Sequence, residues 1–380
     1  MNSDFRASDL KIAFVQDALP YWGGAEKLLA TALEVFPQAP VYTLLYNRDA
    51  FLNTVFEDHP ILVSVLDHIP GVHRRHQLYL PLMPFAIRQF DLGSFDIVIS
   101  FSYAVAHAVP IFPNQLHISY IHTPMRYAWR GQRLPESLYI KGKLPHWIAN
   151  QLLCLFRKWD RAMLQQTDHF VTSSRWMAHC IQDIYQRKAQ VLYPPVDTGR
   201  YLSLNTRDPA YIFVGRLAAH KRVDLVIRAF TDLGYPLLII GKGPEKDRLE
   251  SMAGPNIQFL GWQSEERLAE LLGRAKAFVH AGLEDFGIAM VEAQAAGCPV
   301  IAYQRGGADE IVLNGKTGML FPEQDTSSLG SAVQAFERDG VSFTSQQIRA
   351  SARRFDKECF KQGFLNLVRE KWVSFAGRSI

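Results

Sequence analysis

The chain has 380 residues, 48% of them hydrophobic, 21% charged and 12% aromatic, with 41 Lys and Arg against 37 Asp and Glu. That length suits two domains, and the balance suits a folded globular protein rather than a collagenous, low-complexity or disordered one. A net charge of +4 lacks the concentrated basic excess of a strong nucleic-acid binder, so no nucleic-acid partner is expected. MNSDFRASDLK has no apolar core and does not read as a signal peptide, and no apolar run nears the ~20 residues of a membrane-spanning helix. Cys154, Cys180, Cys298 and Cys359 form no C-x-x-C pair and read as reduced, mostly buried thiols rather than disulfides or a zinc site. A cytoplasmic, two-domain protein is expected.

Short β-branched runs alternate with amphipathic stretches, which predicts parallel βαβ units. KIAFVQD (11–17) opens the series as a strand. The turn Gly23-Gly24 follows, and AEKLLATALEVF reads as a helix with apolar residues at 3–4 spacing. FDIVISFS (95–102), LHISYIHT (116–123) and DHFVTSS (168–174) are further strands that end in small or polar residues, as strand ends facing a cleft do. From Thr198 to Pro209 the pattern pauses, which places the domain boundary there. It restarts with YIFVGRL (211–217), PLLIIGKG (236–243), IQFLGW (257–262), KAFVHAG (276–282) and PVIAYQ (299–304), five strands whose apolar runs suit a sheet covered on both faces. KECFKQGFLNLVREKWVSF (357–375) is helical and could pack on its own domain or cross back to the first. The expected division is 1–198, 210–355 and a terminal helix at 356–380: an α/β architecture of two Rossmann-like, doubly wound domains facing each other across a cleft.

One segment departs from this rhythm. Between Met125 and Met163 stand Arg126, Arg130, Arg133, Lys141, Lys143, Arg157, Lys158 and Arg161, interleaved with Tyr127, Trp129, Tyr139, Trp147, Phe156 and Trp159. LPHWIANQLLCLFRKWDRAML reads equally as an amphipathic helix in a membrane interface or as a core-packing helix with solvated cations. HRRHQLYLPLMPFAIRQF (73–90) has the same character.

The densest chemical signal is Gly282-Leu283-Glu284-Asp285-Phe286-Gly287-Ile288-Ala289-Met290-Val291-Glu292, followed by AQAAGCPVIA and GGADEIV. A strand ends at His280-Ala281-Gly282 and a helix is expected to start near Phe286, so its unpaired amides and dipole would hold an anion. Gly287 would let a ligand approach the backbone. Glu284 and Glu292, about two helical turns apart, would point to the same cleft. An anion held between two carboxylates suits a ligand that also offers hydroxyls, as a nucleotide sugar does. The alternative, two ordinary surface acids, is the better reading of a lone pair, but not of this cluster. Arg216 and Lys221 straddle a strand-to-helix turn where two cations could neutralise a diphosphate, although alone they would read as solvated surface charges. Gly23 and Gly24 are a weaker glycine-rich turn, and His122 at a strand end is more often structural than catalytic. Gly315-Lys316-Thr317 fails as a phosphate loop because Glu310 stands where glycine is required. There is no G-x-S-x-G elbow, no H-E-x-x-H and no D-x-D pair, so a built-in metal is not expected.

Together these residues resemble the family 4 retaining glycosyltransferases of GT-B fold. VGRL…HKRVDLVI, the spacing of Glu284 and Glu292, and GGADEIV…GKTGMLF stand in family order over 211–322. PYWGGAEKLL, LPLMPFAIRQFDLGSFDIVIS, YIHTPMRYAW and VLYPPVD resemble a bacterial subset of polysaccharide and O-antigen mannosyltransferases. The resemblance implies that Arg216 and Lys221 bind the donor diphosphate. Glu284 and the amides of Phe286, Gly287, Ile288 and Ala289 would hold the transferred sugar and phosphates, and Glu292 the ribose. Gly24 would meet the diphosphate from the other domain, His122 the sugar or acceptor, and the base would lie near Gly261 and Trp262. It further implies retaining transfer of a hexose, foremost mannose from GDP-mannose, without a divalent metal, to a lipid-linked or oligosaccharide acceptor. The enzyme would be peripheral on the inner face of the plasma membrane, contacting anionic lipid through 126–163. A UDP-sugar donor and a non-catalytic nucleotide- or glycan-binding scaffold are the competing readings. Arg130-Gly131-Gln132-Arg133 departs from the subset, where an acidic or aromatic residue is expected.

Overall fold

The computed structural model describes residues 10–74, 76–129, 146–201, 207–338 and 344–377. The chain divides into two compact units, one of residues 1–193 with 361–380 and one of residues 194–360. The stretch 198–209, where the sequence pattern pauses, thus lies inside the second unit.

The first unit is built on seven strands: β1 (Ile12–Gln16), β2 (Val41–Thr43), β3 (Ile61–Val63), β4 (Ile97–Ser102), β5 (Leu116–Ile121), β6 (His169–Thr172) and β7 (Ala189–Val191). They form one sheet in the order β3-β2-β1-β4-β5-β6-β7, with every pairing parallel. All residues of β1, β4 and β5 are buried, which explains their near-continuous apolar runs, because both faces of such a sheet are covered.

The second unit holds β8 (Tyr211–Val214), β9 (Leu237–Ile240), β10 (Ile257–Gly261), β11 (Phe278–His280), β12 (Val300–Tyr303) and β13 (Gly318–Phe321). The sheet order is β10-β9-β8-β11-β12-β13, again parallel throughout. Six strands stand where the sequence pattern predicts five. Both sheets follow the doubly wound order, in which the chain starts at the centre, builds outward on one side and then crosses to the other. The reversal leaves a crevice at the carboxyl ends of the two central strands, β1 and β4 in one unit, β8 and β11 in the other, and ligands of such sheets bind there.

The terminal helix, Lys357–Ala376, enters the first unit from Lys361 onward. There Phe364 is buried and packs against Phe14, Phe36 and Phe101, with ring centroids 6.4, 5.7 and 6.4 Å away. Lys361 Nζ lies 3.2 Å from Glu34 Oε2.

The aromatic–basic segment is described in part, since 130–145, including the departure at Arg130–Arg133, lies outside the described residues. His146–Met163 is a helix. Leu153, Phe156, Trp159 and Met163 pack on the core of the first unit. Asp160 is fully buried, accepting a hydrogen bond from Trp129 Nε1 at 2.7 Å and facing His107 Nε2 at 2.9 Å. Arg157 donates to the Ala128 carbonyl at 2.6 Å, and Arg161 stacks 4.8 Å over Trp129. The helix therefore packs one face in the core while Leu152 and Leu155 remain exposed, as do Leu82 and Phe85 upstream. No described helix is long and apolar enough to cross a membrane. The thiols need a correction: Cys154 and Cys359 are exposed, and only Cys298 is fully buried. Burial pushes the Cys298 thiol up to about 12.

Candidate active site

In the second unit the segments that carry the chemical signal leave the two central strands at the switch point. After β8 the chain passes Gly215 and Arg216, makes a short turn at Ala219–Lys221, and enters the helix Val223–Leu233 through Arg222, whose backbone is left-handed at φ 51°. After β11 it passes Gly282 and Glu284 and enters the helix Ile288–Ala295. That helix starts two residues later than expected, with Gly287 as its N-terminal cap at φ 111°. Glycine is favoured there because a side chain at that φ is strained, and a Cβ would also displace the Met290 side-chain tip. The first amides of the helix have no intrahelical partner, which suits them to an anion.

The two segments meet at Glu284. Lys221 Nζ lies 2.5 Å from Glu284 Oε1, and His280 Nε2 lies 2.8 Å from the same oxygen, in a bent approach. Burial by itself would raise the carboxyl, but the charge of Lys221 and the neighbouring His280 outweigh it and hold Glu284 well below the usual carboxylate range. Glu284 is thus a half-buried, ionised carboxylate, hydrogen-bonded by Lys221 on the oxygen that His280 Nε2 also approaches.

The GGADEIV motif holds this loop in place. The Gly307 amide donates to the Glu284 carbonyl at 3.0 Å, and Gly306 forms a bridge with Glu284. A Cβ on Gly306 would stand 2.2 Å from the Glu284 carbonyl oxygen and one on Gly307 1.9 Å from that of Phe286. Two hydrogen-only positions let the backbones touch. Phe286 itself is buried against Phe355, ring centroids 5.4 Å apart, so only its backbone can serve a ligand. Gly287, Ile288, Ala289 and Glu292 remain partly exposed beside buried Met290 and Val291. The hydroxyl of buried Tyr201 is hydrogen-bonded to Glu292, and burial together with that carboxylate pushes the phenol far above its ordinary value. Gly261 closes β10 at φ 69°, and Trp262 after it is 66% exposed, an indole face open to a ring. Arg216 is exposed at the end of β8.

Two sequence models tile the chain: the family described as Glycosyltransferase Family 4 matches residues 22–200, and that described as Glycosyl transferases group 1 matches residues 200–355. The chain belongs to the family 4 glycosyltransferases of GT-B fold. This glycosyltransferase is 28% identical over 235 residues to a glycogen synthase of Mycobacterium tuberculosis, a match covering 57% of this chain and 56% of the relative. It is 38% identical over 115 residues to a GDP-mannose-dependent alpha-mannosyltransferase of the same organism, covering 30% of each. These matches span about half or less of the curated relatives' length. The solved structure of Anabaena HepE in complex with UDP-glucose superposes with a TM-score of 0.69 at 16% identity, covering 95% of this chain and 100% of that one.

In the first unit of the glycosyltransferase, Gly23 caps the helix Gly24–Val35 directly after β1. Asp17, at the end of β1, is buried and accepts the amides of Tyr103, Ala104, Val105 and Ala106 at 2.5–2.8 Å, tying β1 to the segment that follows β4. Glu26, in the first turn of the helix, is buried and takes the Gly23 amide and its own, and burial raises its carboxyl to about 7. His122 follows β5, its amide donating to the Ser102 carbonyl at 2.8 Å and its ring 5.1 Å from that of Tyr120. Lys221, Glu284 and the helix bearing Glu292 are therefore assembled in one place, whereas Gly23, Gly24 and His122 lie at the carboxyl edge of the other sheet. His280, Tyr201 and Glu26 are additions that the motif reading passes over. No group of three or more His, Cys, Asp or Glu among the described residues could hold a metal ion.

Proposed function

We propose that this glycosyltransferase moves a hexose, foremost mannose from GDP-mannose, with retention of configuration, to a lipid-linked or glycan acceptor in polysaccharide synthesis. The observation that carries the reading is Glu284, ionised, half-buried, paired with Lys221 and approached by His280 beside the start of the helix Ile288–Ala295. Such a place answers a ligand that is anionic at one end and hydroxylated at the other. Lys221 and Arg216 take the diphosphate with the amides of Gly287, Ile288 and Ala289, Glu284 accepts sugar hydroxyls, and Glu292 accepts the ribose hydroxyls. Trp262 and Gly261 border the base. From the first unit, Gly23 and Gly24 are assigned to the diphosphate and His122 to the sugar or acceptor.

In the transfer step the bond between the anomeric carbon and the diphosphate oxygen breaks, and its electron pair leaves with the diphosphate. The acceptor oxygen bonds to the same face of that carbon, and its proton passes to the departing phosphate. No covalent enzyme intermediate forms, and no divalent metal is required. The protein's part is positioning and stabilising the leaving charge, where one well-placed donor is worth about 10²–10³ in rate. The mannose assignment is supported by the match to a GDP-mannose-dependent alpha-mannosyltransferase. Contact with the inner face of an anionic membrane is assigned to the exposed Leu152 and Leu155, with Lys158 beside them and the exposed Leu82 and Phe85 upstream.

A melting-temperature panel of GDP-mannose, UDP-glucose, UDP-N-acetylglucosamine, UDP-galactose and the free nucleotides, with and without magnesium, tests the donor. Stabilisation by GDP and GDP-mannose, independent of magnesium, is expected. A UDP-selective shift would replace the donor, as the UDP-glucose complex of the HepE neighbour would favour. No shift with any of them would leave the scaffold reading.

A further inference from the structure

We infer that His280 is a positioning residue for transfer, the group that keeps the Glu284 carboxylate aimed at the sugar once the donor diphosphate has drawn Lys221 away. The inference rests on the nucleotide-sugar reading of this site and goes beyond it.

His280 ends β11 and is buried, its ring lying nearly parallel to Phe213 and Phe278, with centroids 5.7 and 6.3 Å away and interplanar angles of 8° and 12°. That stack fixes the imidazole, and Nε2 reaches Glu284 Oε1 at 2.8 Å. Gly282 makes the meeting possible. A Cβ there would stand 3.0 Å from His280 Nε2 and 2.9 Å from both the Lys221 Cα and the His220 carbonyl oxygen. Neither ring nitrogen completes a hydrogen bond among the described residues: Nδ1 is buried without one, and Nε2 lies near the Glu284 oxygen but out of line with it. A proton carried on Nε2 would face the carboxylate and leave a lone pair at Nδ1. If the ring served packing alone, a hydrocarbon ring in the same stack would avoid burying that unpaired nitrogen.

The need for a second donor follows from the competition for Lys221. Its ammonium is held 2.5 Å from Glu284, yet it is also the cation nearest at hand for a diphosphate. A ligand that draws it away leaves a half-buried carboxylate that desolvation pushes towards its neutral form. A neutral carboxyl is a poor acceptor for a sugar hydroxyl. His280 Nε2 stands 2.8 Å from the same oxygen on its own strand, so a small turn of the carboxylate once Lys221 is drawn off brings the two into line.

The test compares His280→Phe, which preserves the stack, with His280→Gln, which restores a donor of similar reach. His280→Phe is expected to bind free GDP as the unaltered enzyme does, while kcat with GDP-mannose falls about tenfold to a hundredfold, the worth of a hydrogen bond to a charged group. The acid limb of its kcat profile should move to higher pH, and His280→Gln should restore both. The titratable groups acting on Glu284 in that profile are Lys221, from the turn after β8, and His280, from β11. Unchanged kcat and an unchanged acid limb in a folded His280→Phe would overturn the inference. Should that variant not fold, the histidine nitrogen spectrum of the unaltered enzyme decides. GDP should move the His280 Nε2 resonance, and a signal indifferent to GDP would overturn it equally. An unaltered enzyme that turns over no nucleotide sugar would overturn the functional reading and this inference together.

Discussion

Glu26 offers a sharp test of the physical reasoning, because it is a carboxyl with a raised affinity for protons beneath the Gly23–Gly24 turn. Its ordinary value is 4.5, and burial raises it to about 7 in the folded chain. Below pH ~4.5 it is protonated in both states, and above pH ~7 ionised in both. Between these limits the folded chain holds a proton that the unfolded chain has lost, so stability falls as pH rises through the window and then levels off. A separation of about 2.5 units corresponds to about 3 kcal/mol. Glu26→Gln keeps the size of the side chain and cannot ionise. Urea unfolding of the variant and the unaltered chain at several pH values should show their stability difference moving in the variant's favour by about 3 kcal/mol across the window. A difference constant within about 0.5 kcal/mol would refute the burial argument. A second readout bears on function. If the Gly24 amide meets the donor diphosphate, ionised Glu26 places a negative charge beneath it. The donor KM of the unaltered enzyme should then rise above neutral pH, and that of Glu26→Gln should not.

Three further outcomes are expected. Lys221→Ala should lower transfer by about 10²–10³, the worth of one donor at a developing anion, while the melting temperature measures the integrity of the fold; near-normal kcat would remove Lys221 from the site. Gly287→Ala should destabilise the second unit by about 1–3 kcal/mol in urea unfolding, since a side chain there is strained at φ 111° and collides with Met290. His117 runs opposite to Glu26: burial depresses it from 6.5 to about 4, so stability should be lost as pH falls from ~6.5 towards ~4, by about 3 kcal/mol. His117→Gln, unable to titrate, should lack that loss in acid unfolding curves.

The fold was legible where a strand is buried on both faces and long enough to leave a run. β1, β4, β5 and β8 read directly from their apolar residues, and the order of the sheets follows from alternating βα units. β2, β3 and β7 escaped because three residues carry no usable period. β13 escaped for a different reason. It opens with Gly318, a residue that argues against strand, yet a Cβ there would lie 1.9 Å from the Val300 carbonyl oxygen on β12. The close pass of the neighbouring backbone demands the glycine, and that neighbour is eighteen residues away in sequence. The mixed aromatic–basic segment could not be assigned to core or surface from pattern, because one helix serves both: Asp160 and Trp159 face inward while Leu152 and Leu155 face out.

The sequence brings Lys221, Glu284 and Glu292 forward as one cluster, but not their balance of charge, and that balance bears on how two carboxylates would coexist with a proposed diphosphate. Glu284 and Glu292 have different partners. Glu284 is held by a cation and an imidazole on one oxygen, so it stays ionised despite burial. Glu292 is held by the hydroxyl of Tyr201, a neutral donor from the segment leading into β8. In the proposed reading a diphosphate arriving near Glu284 meets Lys221 there and draws its ammonium, leaving the carboxylate beside the His280 imidazole. A ribose arriving at Glu292 meets a carboxylate fixed in orientation by a group that brings no charge of its own. Neither Tyr201 nor His280 belongs to a run that signals chemistry, since one sits in a loop and the other ends a strand of apolar residues. Their contribution arises only when the fold brings distant segments to the same carboxyl edge, which is why residues outside the motif can stand against the two carboxylates that the motif announces.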